Sequence, residues 1–485
     1  MLDRRGARAS LLAILVVIVA ALGWSLRSYP NYDSYYALVW GGELADLTLP
    51  HYDVFRTPTP HPLFNLYTAM LSLTGTAAVR ILTVQSLAMF VALIAGAFEM
   101  VRLKIGSVVA LATVVVLLSR TDLLAFGLRS MVDVPFLALV LWAVVLELRR
   151  PRRGLGPLVL LALAGLLRPE AWILSGVYWL WLLLGVARQN LHLPGATPSR
   201  RLLTACVGLV MVGPLLWTGL DWLVTGDPLY SFVSTREVAG ELERQQSLLS
   251  SITHIPRFIG ASEPWVNGVG GLVGFALAVY ALRSRMVMLA ALAVAGVLTY
   301  LLIAVGGLSV ISRYLLLPSV VACVGVAFAL TGWTELSGRA GVLGRAAAVL
   351  TIALVAVRIP AYVRNFEALA TESAQVRSRI GGLAPLLRSE RVARRAKTCQ
   401  PLLSPTHEAV PVLRYEFGLN RDEVLATTEV PTEPKSGVQL LQAGFLDPVA
   451  QTNISHAQRQ PWTSFPLPGF ALETTTDAWL VYSRC

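Results

Sequence analysis

The sequence predicts an α-helical polytopic membrane protein of about eleven transmembrane helices with a small extracytoplasmic C-terminal α/β domain. Three observations carry that prediction. Hydrophobic residues make up 55% of the 485 residues and charged residues 14%, against about 25% charge in an ordinary soluble domain. The mean hydropathy is +0.62. The apolar residues fall in blocks of about 20 between short arginine-bearing gaps, the length a helix needs to cross ~30 Å of hydrocarbon. These features exclude a disordered chain and speak against a soluble enzyme.

The first helix is placed at 10–28, after the basic start MLDRRGARAS. A signal peptide is the competing reading, but SLRSYP, which follows, has no A-x-A cleavage site. Further helices are expected at 77–101, 105–119, 133–148, 155–167, 170–187, 202–224, 266–282, 286–306, 314–333 and 346–360. Every second connection is basic: Arg4/Arg5/Arg8, Arg102/Lys104, Arg149/Arg150/Arg152/Arg153, Arg188/Arg200/Arg201, Arg283/Arg285 and Arg339/Arg345. The positive-inside rule then predicts a cytoplasmic-membrane protein with its N-terminus in the cytoplasm and its C-terminal region outside. The same rule accounts for most of the formal charge of +11, so no nucleic-acid partner is expected. Cys399 and Cys485 both lie in the polar C-terminal region, where an oxidising compartment would allow a disulfide. Cys206 and Cys323 lie in apolar segments and read as core.

Two domains are expected. Residues 1–360 form the membrane region, with outer loops 29–62 and 225–265. Residues 361–485 form the C-terminal domain, opening with a helix at Arg364–Leu387 and continuing with short apolar runs between turn residues. The Asn453-Ile454-Ser455 sequon reads as chance.

The outer segments hold the candidate chemistry. In YPNYDSYYALVWGGELADL, Asp33 can N-cap a short surface helix whose Tyr36, Val39/Trp40 and Leu44 share a face; it is either a cap or a positioned carboxylate. The loop HYDVFRTPTPHPLF gathers His51, Asp53, Arg56 and His61 on a proline-stiffened chain, either a polar substrate or metal wall or a solvated loop. Asp133 opens an apolar helix, with Arg129 one turn earlier as a potential ion-pair partner. GLLRPEAWIL sets Arg168 and Glu170 near or inside the apolar layer, where ionisable groups are costly and either paired or functional. Arg313, in SRYLLLP, is suited to bidentate phosphate binding or to snorkelling at lipid headgroups. Walker A, G-x-G-x-x-G, C-x-x-C and H-E-x-x-H patterns are absent, which leaves nucleotide-driven chemistry and zinc proteolysis without support.

In order, N-Y-D-S-Y-Y, R-S-M-V-D-V-P-F, L-L-R-P-E, T-G-D-P-L-Y-S and S-R-Y-L-L-L-P resemble the GT-C superfamily of integral-membrane glycosyltransferases. These enzymes take sugars from polyprenyl-phosphate donors. The likeness is to the bacterial protein mannosyltransferase-like and lipid A aminoarabinose transferase-like branch. It covers roughly residues 10–335 and rests on the order and sidedness of short motifs.

The resemblance implies that Asp33 is the catalytic base or orients the acceptor, and that Asp133 assists it or shares a divalent metal with it. It implies that Arg313 meets the donor phosphate. Arg129 and Arg168 join Arg313 as phosphate candidates, and Tyr35, Tyr36, His61, Glu170 and Tyr314 as substrate-lining ones. Expected partners are a polyprenyl-phosphate sugar, membrane lipid, and a glycan, lipid or protein acceptor. No cofactor is required, a divalent metal being optional, and the displacement is expected to invert the anomeric centre. The rival readings are a lipid-linked glycan flippase and a non-catalytic scaffold. A flippase calls for more polar groups at mid-membrane depth than this sequence has.

Overall fold

The computed structural model describes residues 4–152, 154–187, 200–430, 434–442 and 466–485. Arg153, Arg188 and the Asn453 sequon lie outside the described residues. The helices are, in chain order, α1 (Arg4–Ser25), α2 (Tyr32–Ala45), α3 (Pro62–Ser72), α4 (Ala78–Lys104), α5 (Ser107–Leu118) and α6 (Thr121–Leu128). Then come α7 (Asp133–Arg149), α8 (Leu155–Gly165), α9 (Glu170–Ala187), α10 (Arg200–Thr225), α11 (Tyr230–Glu241) and α12 (Leu248–Gly260). The last are α13 (Gly271–Leu282), α14 (Val287–Val305), α15 (Leu316–Thr331), α16 (Gly338–Arg388), α17 (Glu390–Thr398) and α18 (Val410–Phe417).

Each of the eleven apolar segments expected from the sequence falls on a helix. Six stretches are long and apolar enough to cross a membrane, or seven if the bent pair α5 and α6 is one span, among the described residues. One of the six, Pro264–Val305, holds both α13 and α14 and breaks at Arg283, whose φ is 45°. The helices α8 and α9 are apolar but shorter. The molecule is thus a multi-pass membrane protein, whose number of crossings is set by how the short helices pair.

The chain divides into two compact units. The first comprises Met1–Leu26, His61–Phe64 and Arg80–Leu369. Its most enclosed span is Ser312–Glu335, with 89% of its apolar window buried. Side chains as small as glycine let helices touch backbone to backbone there. A Cβ on Gly274 of α13 would collide with the carbonyl of Gly325 on α15, and a Cβ on Gly271 would lie 2.7 Å from the Ala322 carbonyl. Two of the buried charges in this unit show the pairing or carbonyl contact that apolar surroundings demand. Arg120 holds Asp122 at 2.6 Å and the Ile259 carbonyl at 2.9 Å, and Arg358 holds the fully buried Glu263 at 2.9 Å.

The second unit comprises Arg27–Pro60, Asn65–Val79 and Ala370–Cys485. It contains a five-stranded sheet of order β2-β1-β3-β5-β4. The strands are β1 (Leu402–Ser404), β2 (Val424–Ala426), β3 (Gly437–Gln442), β4 (Ala471–Thr475) and β5 (Trp479–Arg484). β1 runs parallel to β2 and β3, while β5 is antiparallel to β3 and β4. Leu402, Val424, Val438, Leu440 and Val481 pack with Leu383, Val392, Leu413 and Trp479 in one apolar core. Cys399 and Cys485 form a disulfide with Cα atoms 5.4 Å apart. It joins the residue after α17 to the residue after β5.

Two local expectations change. The helix expected at Arg364–Leu387 is not separate: α16 runs unbroken for 51 residues through Pro360, and Ala and Leu, both strong helix formers, are frequent along it. Asp33 is not the cap of α2; Asn31 is, its side chain accepting from the Ser34 amide at 3.0 Å. Asp33 instead sits in the first helical turn, where a negative charge suits the helix dipole.

Candidate functional site

In the second unit the first loop folds onto the C-terminal sheet domain. Helix α2, expected as a surface helix, has Ser34–Leu38, Trp40 and Gly41 buried. Gly41 allows α3 to approach: a Cβ there would lie 2.5 Å from Thr68, whose Oγ1 donates to the Ala37 carbonyl at 2.6 Å. Tyr32 donates to the Arg56 carbonyl at 3.0 Å and Trp40 to the His51 carbonyl at 2.9 Å. Arg414 of α18, 3% exposed, reaches Glu43 of α2 at 3.0 Å. His51 and Asp53 have structural partners, Glu43 at 3.3 Å and Arg421 at 3.2 Å.

The residues around Asp33 are aromatic. The ring of Tyr32 meets Tyr36 at 5.0 Å and His407 at 5.5 Å, and Tyr35 meets Tyr415 at 5.8 Å. Burial raises the phenol of Tyr32 well above its ordinary value, with Tyr36 and Asp33 adding to it. Burial likewise pushes Tyr36 up to about 12 and raises Tyr35. All three phenols therefore keep their protons at neutral pH, which leaves each able to donate a hydrogen bond.

In the first unit a second cluster forms. Asp133, fully buried at the start of α7, accepts from Arg168 Nη1. Arg168 Nε donates to Glu170 at 2.9 Å. One guanidinium thus satisfies two carboxylates, and Asp133 Oδ2 has no hydrogen-bond partner among the described residues. The sequence offered Arg129 as the partner of Asp133; the structure gives Arg168 to its Oδ1. The Tyr314 ring lies under two cations, Arg168 at 5.0 Å and Arg313 at 5.7 Å. Such contacts steady a guanidinium without consuming its N–H groups.

His61 belongs to the same unit. Its ring meets Trp217 at 5.8 Å. Its Nδ1 is buried without a hydrogen-bond partner among the described residues. Burial first, then Arg168 and Arg313, hold its pKa down to about 3, against a backbone hydrogen bond to Leu167. At neutral pH it is therefore an uncharged imidazole beside two cations. Among the described residues no three His, Cys, Asp or Glu side chains gather as for a metal ion.

The structure places Asp133, Arg168, Glu170, Arg313, Tyr314 and His61 in the first unit, and Asp33, Tyr35 and Tyr36 in the second. The sequence reading missed Glu43, His407, Arg414, Arg421 and Glu429 as neighbours of the first loop. All but Glu43, which is in the loop itself, lie some 350 or more residues away along the chain, and nothing local in the sequence marks them.

Apolar helices enclosing a buried guanidinium–carboxylate cluster, with a small sheet domain at the C-terminal end, define a multi-pass membrane protein. The chain shares its fold with ArnT from Cupriavidus metallidurans. Against that protein bound to undecaprenyl phosphate the TM-score is 0.54 at 13% sequence identity, covering 98% of both chains. Against its apo state the TM-score is 0.58 at 14% identity, again over 98% of both chains. No protein-family profile and no curated protein sequence matches the chain.

Proposed function

We propose that the protein transfers a sugar from a polyprenyl-phosphate donor to a cell-envelope acceptor on the outer face of the cytoplasmic membrane. The observation that carries this reading is the fold shared, end to end, with a protein crystallised with undecaprenyl phosphate. The alternating basic loops and the Cys399–Cys485 disulfide support a cytoplasmic N-terminus and an extracytoplasmic C-terminal domain. Residues 1–360 are taken in this reading as the membrane domain and 361–485 as the outer one.

In the proposed reaction Asp33 accepts the proton of an acceptor hydroxyl. The oxygen attacks the anomeric carbon, the bond from that carbon to the phosphate oxygen breaks, and polyprenyl phosphate leaves with the electron pair. The anomeric centre inverts, and Asp33 returns its proton to water. Arg313, with Arg129, meets the leaving phosphate. Arg168 is already committed to Asp133 and Glu170, so its proposed role is to hold Asp133 in place. The protonated phenols of Tyr35 and Tyr36 and the neutral His61 offer hydrogen bonds without adding charge. With Arg313 and Arg129 proposed to meet the phosphate, the reading calls for no divalent metal.

The test is a transfer assay with purified protein, radiolabelled polyprenyl-phosphate mannose, arabinofuranose and glucose, and a cell-envelope extract. Transfer by the wild type and not by Asp33→Asn supports the assignment. Donor binding with no transfer from any of the three would favour a flippase or scaffold.

A further inference from the structure

Helix α10 carries a buried carboxylate that the proposed reaction does not use. Asp221 is 3% exposed, and no cation pairs with it among the described residues. Its Oδ2 accepts from the Ser231 amide at 2.9 Å and its Oδ1 from the Ser231 hydroxyl at 2.8 Å. A serine hydroxyl has one proton to donate. With that proton committed to Asp221, Ser231 Oγ is an acceptor, and it accepts from Trp217 Nε1 at 3.1 Å. Trp217 and Asp221 stand four residues apart on one face of α10. Ser231 closes the run T-G-D-P-L-Y-S and lies in the first turn of α11. The carboxylate thus sets the direction of both hydrogen bonds and fixes the angle of the indole.

Trp217, 3% exposed, stands edge to face with two rings, His61 at 5.8 Å and Trp172 at 5.8 Å. Trp172 is fixed as well. Its Nε1 donates to the Gly165 carbonyl at 2.9 Å. Its indole fills the space that side chains on two glycines would need: a Cβ would lie 2.9 Å from it on Gly165 and 2.6 Å on Gly213. Two anchored indoles therefore back the His61 ring.

His61 is partly exposed, and its buried Nδ1 has no hydrogen-bond partner among the described residues. An unpaired buried nitrogen is costly, so a group that reaches it gains affinity. Arg168 and Arg313 lie near enough for their charges to oppose protonation of the ring. A hydroxyl both donates and accepts, so it matches Nδ1 of the neutral ring in either tautomer. A phosphate oxygen only accepts and is better met by the guanidiniums. In a polyprenyl-phosphate donor the sugar is bonded directly to the phosphate. A neutral imidazole beside a phosphate-binding arginine therefore faces sugar hydroxyls.

We propose that Asp221 and Ser231 are positioning residues, which through Trp217 hold His61 to a hydroxyl of the sugar being transferred. The proposal rests on the glycosyltransfer reading. It adds the group that tells a sugar-bearing lipid from the bare lipid phosphate.

The experiment measures binding apart from turnover. Full-length protein in detergent is titrated with polyprenyl-phosphate mannose, arabinofuranose and glucose, and with bare polyprenyl phosphate. The wild type should bind at least one of the three about fivefold tighter than the bare lipid, the effect of one hydrogen bond. Ser231→Ala keeps the amide that Asp221 accepts from and deletes the link to Trp217. It should cut the preference below about twofold, as should Trp217→Phe and Asp221→Asn, while Ser231→Thr, which keeps the hydroxyl, retains it. The Kd for the bare lipid should stay within about twofold in all four variants. A preference kept in Ser231→Ala and Trp217→Phe overturns the proposal, and so does an equal loss for sugar-bearing and bare lipid, the mark of a merely structural role. A wild type that transfers sugar but binds all four lipids alike overturns the proposal and leaves the enzyme standing. A preference lost in the variants, with no transfer by the wild type, supports the positioning and overturns the enzyme.

Discussion

Arg168 bridges Asp133, 35 residues earlier in the chain, and Glu170, two residues later, with all three side chains buried. Two carboxylates share one guanidinium, so the three substitutions are not equivalent. Removing one partner of a buried pair leaves an uncompensated charge and costs about 3–5 kcal/mol. Arg168→Gln, which strands two negative charges, should lower the melting temperature in detergent more than Asp133→Asn, which strands none. Equal losses would show that the bridge carries no charge balance.

Asp33 stands in the first turn of α2 while Asn31 does the capping. Asp33→Asn should therefore leave the melting temperature nearly unchanged and lower kcat by about 10²–10⁴, the range of a lost general base. A variant with normal turnover would remove Asp33 from the reaction.

Arg313 and Arg168 share the Tyr314 ring, and Arg313 is the residue proposed to meet the donor phosphate. Arg313→Ala should raise the donor KM about tenfold or more, the worth of a charge-assisted hydrogen bond to phosphate, and leave the acceptor KM alone. An unchanged donor dependence would count against its proposed role.

Glu473, on β4, accepts from Ser483 at 2.5 Å and pairs with Arg391 at 2.7 Å. The Ser483 hydrogen bond, then Arg391 and Arg395, hold its carboxyl below its ordinary 4.5, against slight burial. A depressed folded pKa stabilises the fold above the unfolded value, and that contribution is lost as pH falls through the folded one. Melting temperature should thus drop below about pH 4.5 in the wild type. Glu473→Gln should be less stable at neutral pH and show a shallower acid limb; superimposable curves would argue against the linkage.

Gly274 and Gly325 bring α13 and α15 into backbone contact. Gly274→Val should cost about 1–3 kcal/mol or more from overpacking, measured as a lower melting temperature in detergent. The same substitution at Gly208 of α10, where a Cβ meets nothing within 4 Å, should cost less.

The positions of the membrane helices were legible because each is written locally, as an apolar block bounded by charge. So were the small C-terminal α/β domain and the pairing of Arg168 with Glu170, which are neighbours in sequence. The cap of α2 was misread by two residues, since Asn31 and Asp33 are both competent caps and only backbone angles choose between them. The continuity of α16 was hidden because its apolar character ends well before its helix does.

The sequence by itself determined the class of molecule, the order of its helices and the residue types available for chemistry, because hydropathy and helical period are short-range properties. Only the tertiary structure decided that Arg168 binds Asp133 as well as Glu170, and that α2 is walled in by α18 through Arg414 and Glu43. It alone brought Tyr36 of α2 together with Arg414, Arg421 and Glu429 around one small cleft. These are contacts between distant segments, fixed by packing and by the cost of leaving a buried charge unpaired, and no local pattern encodes the partner.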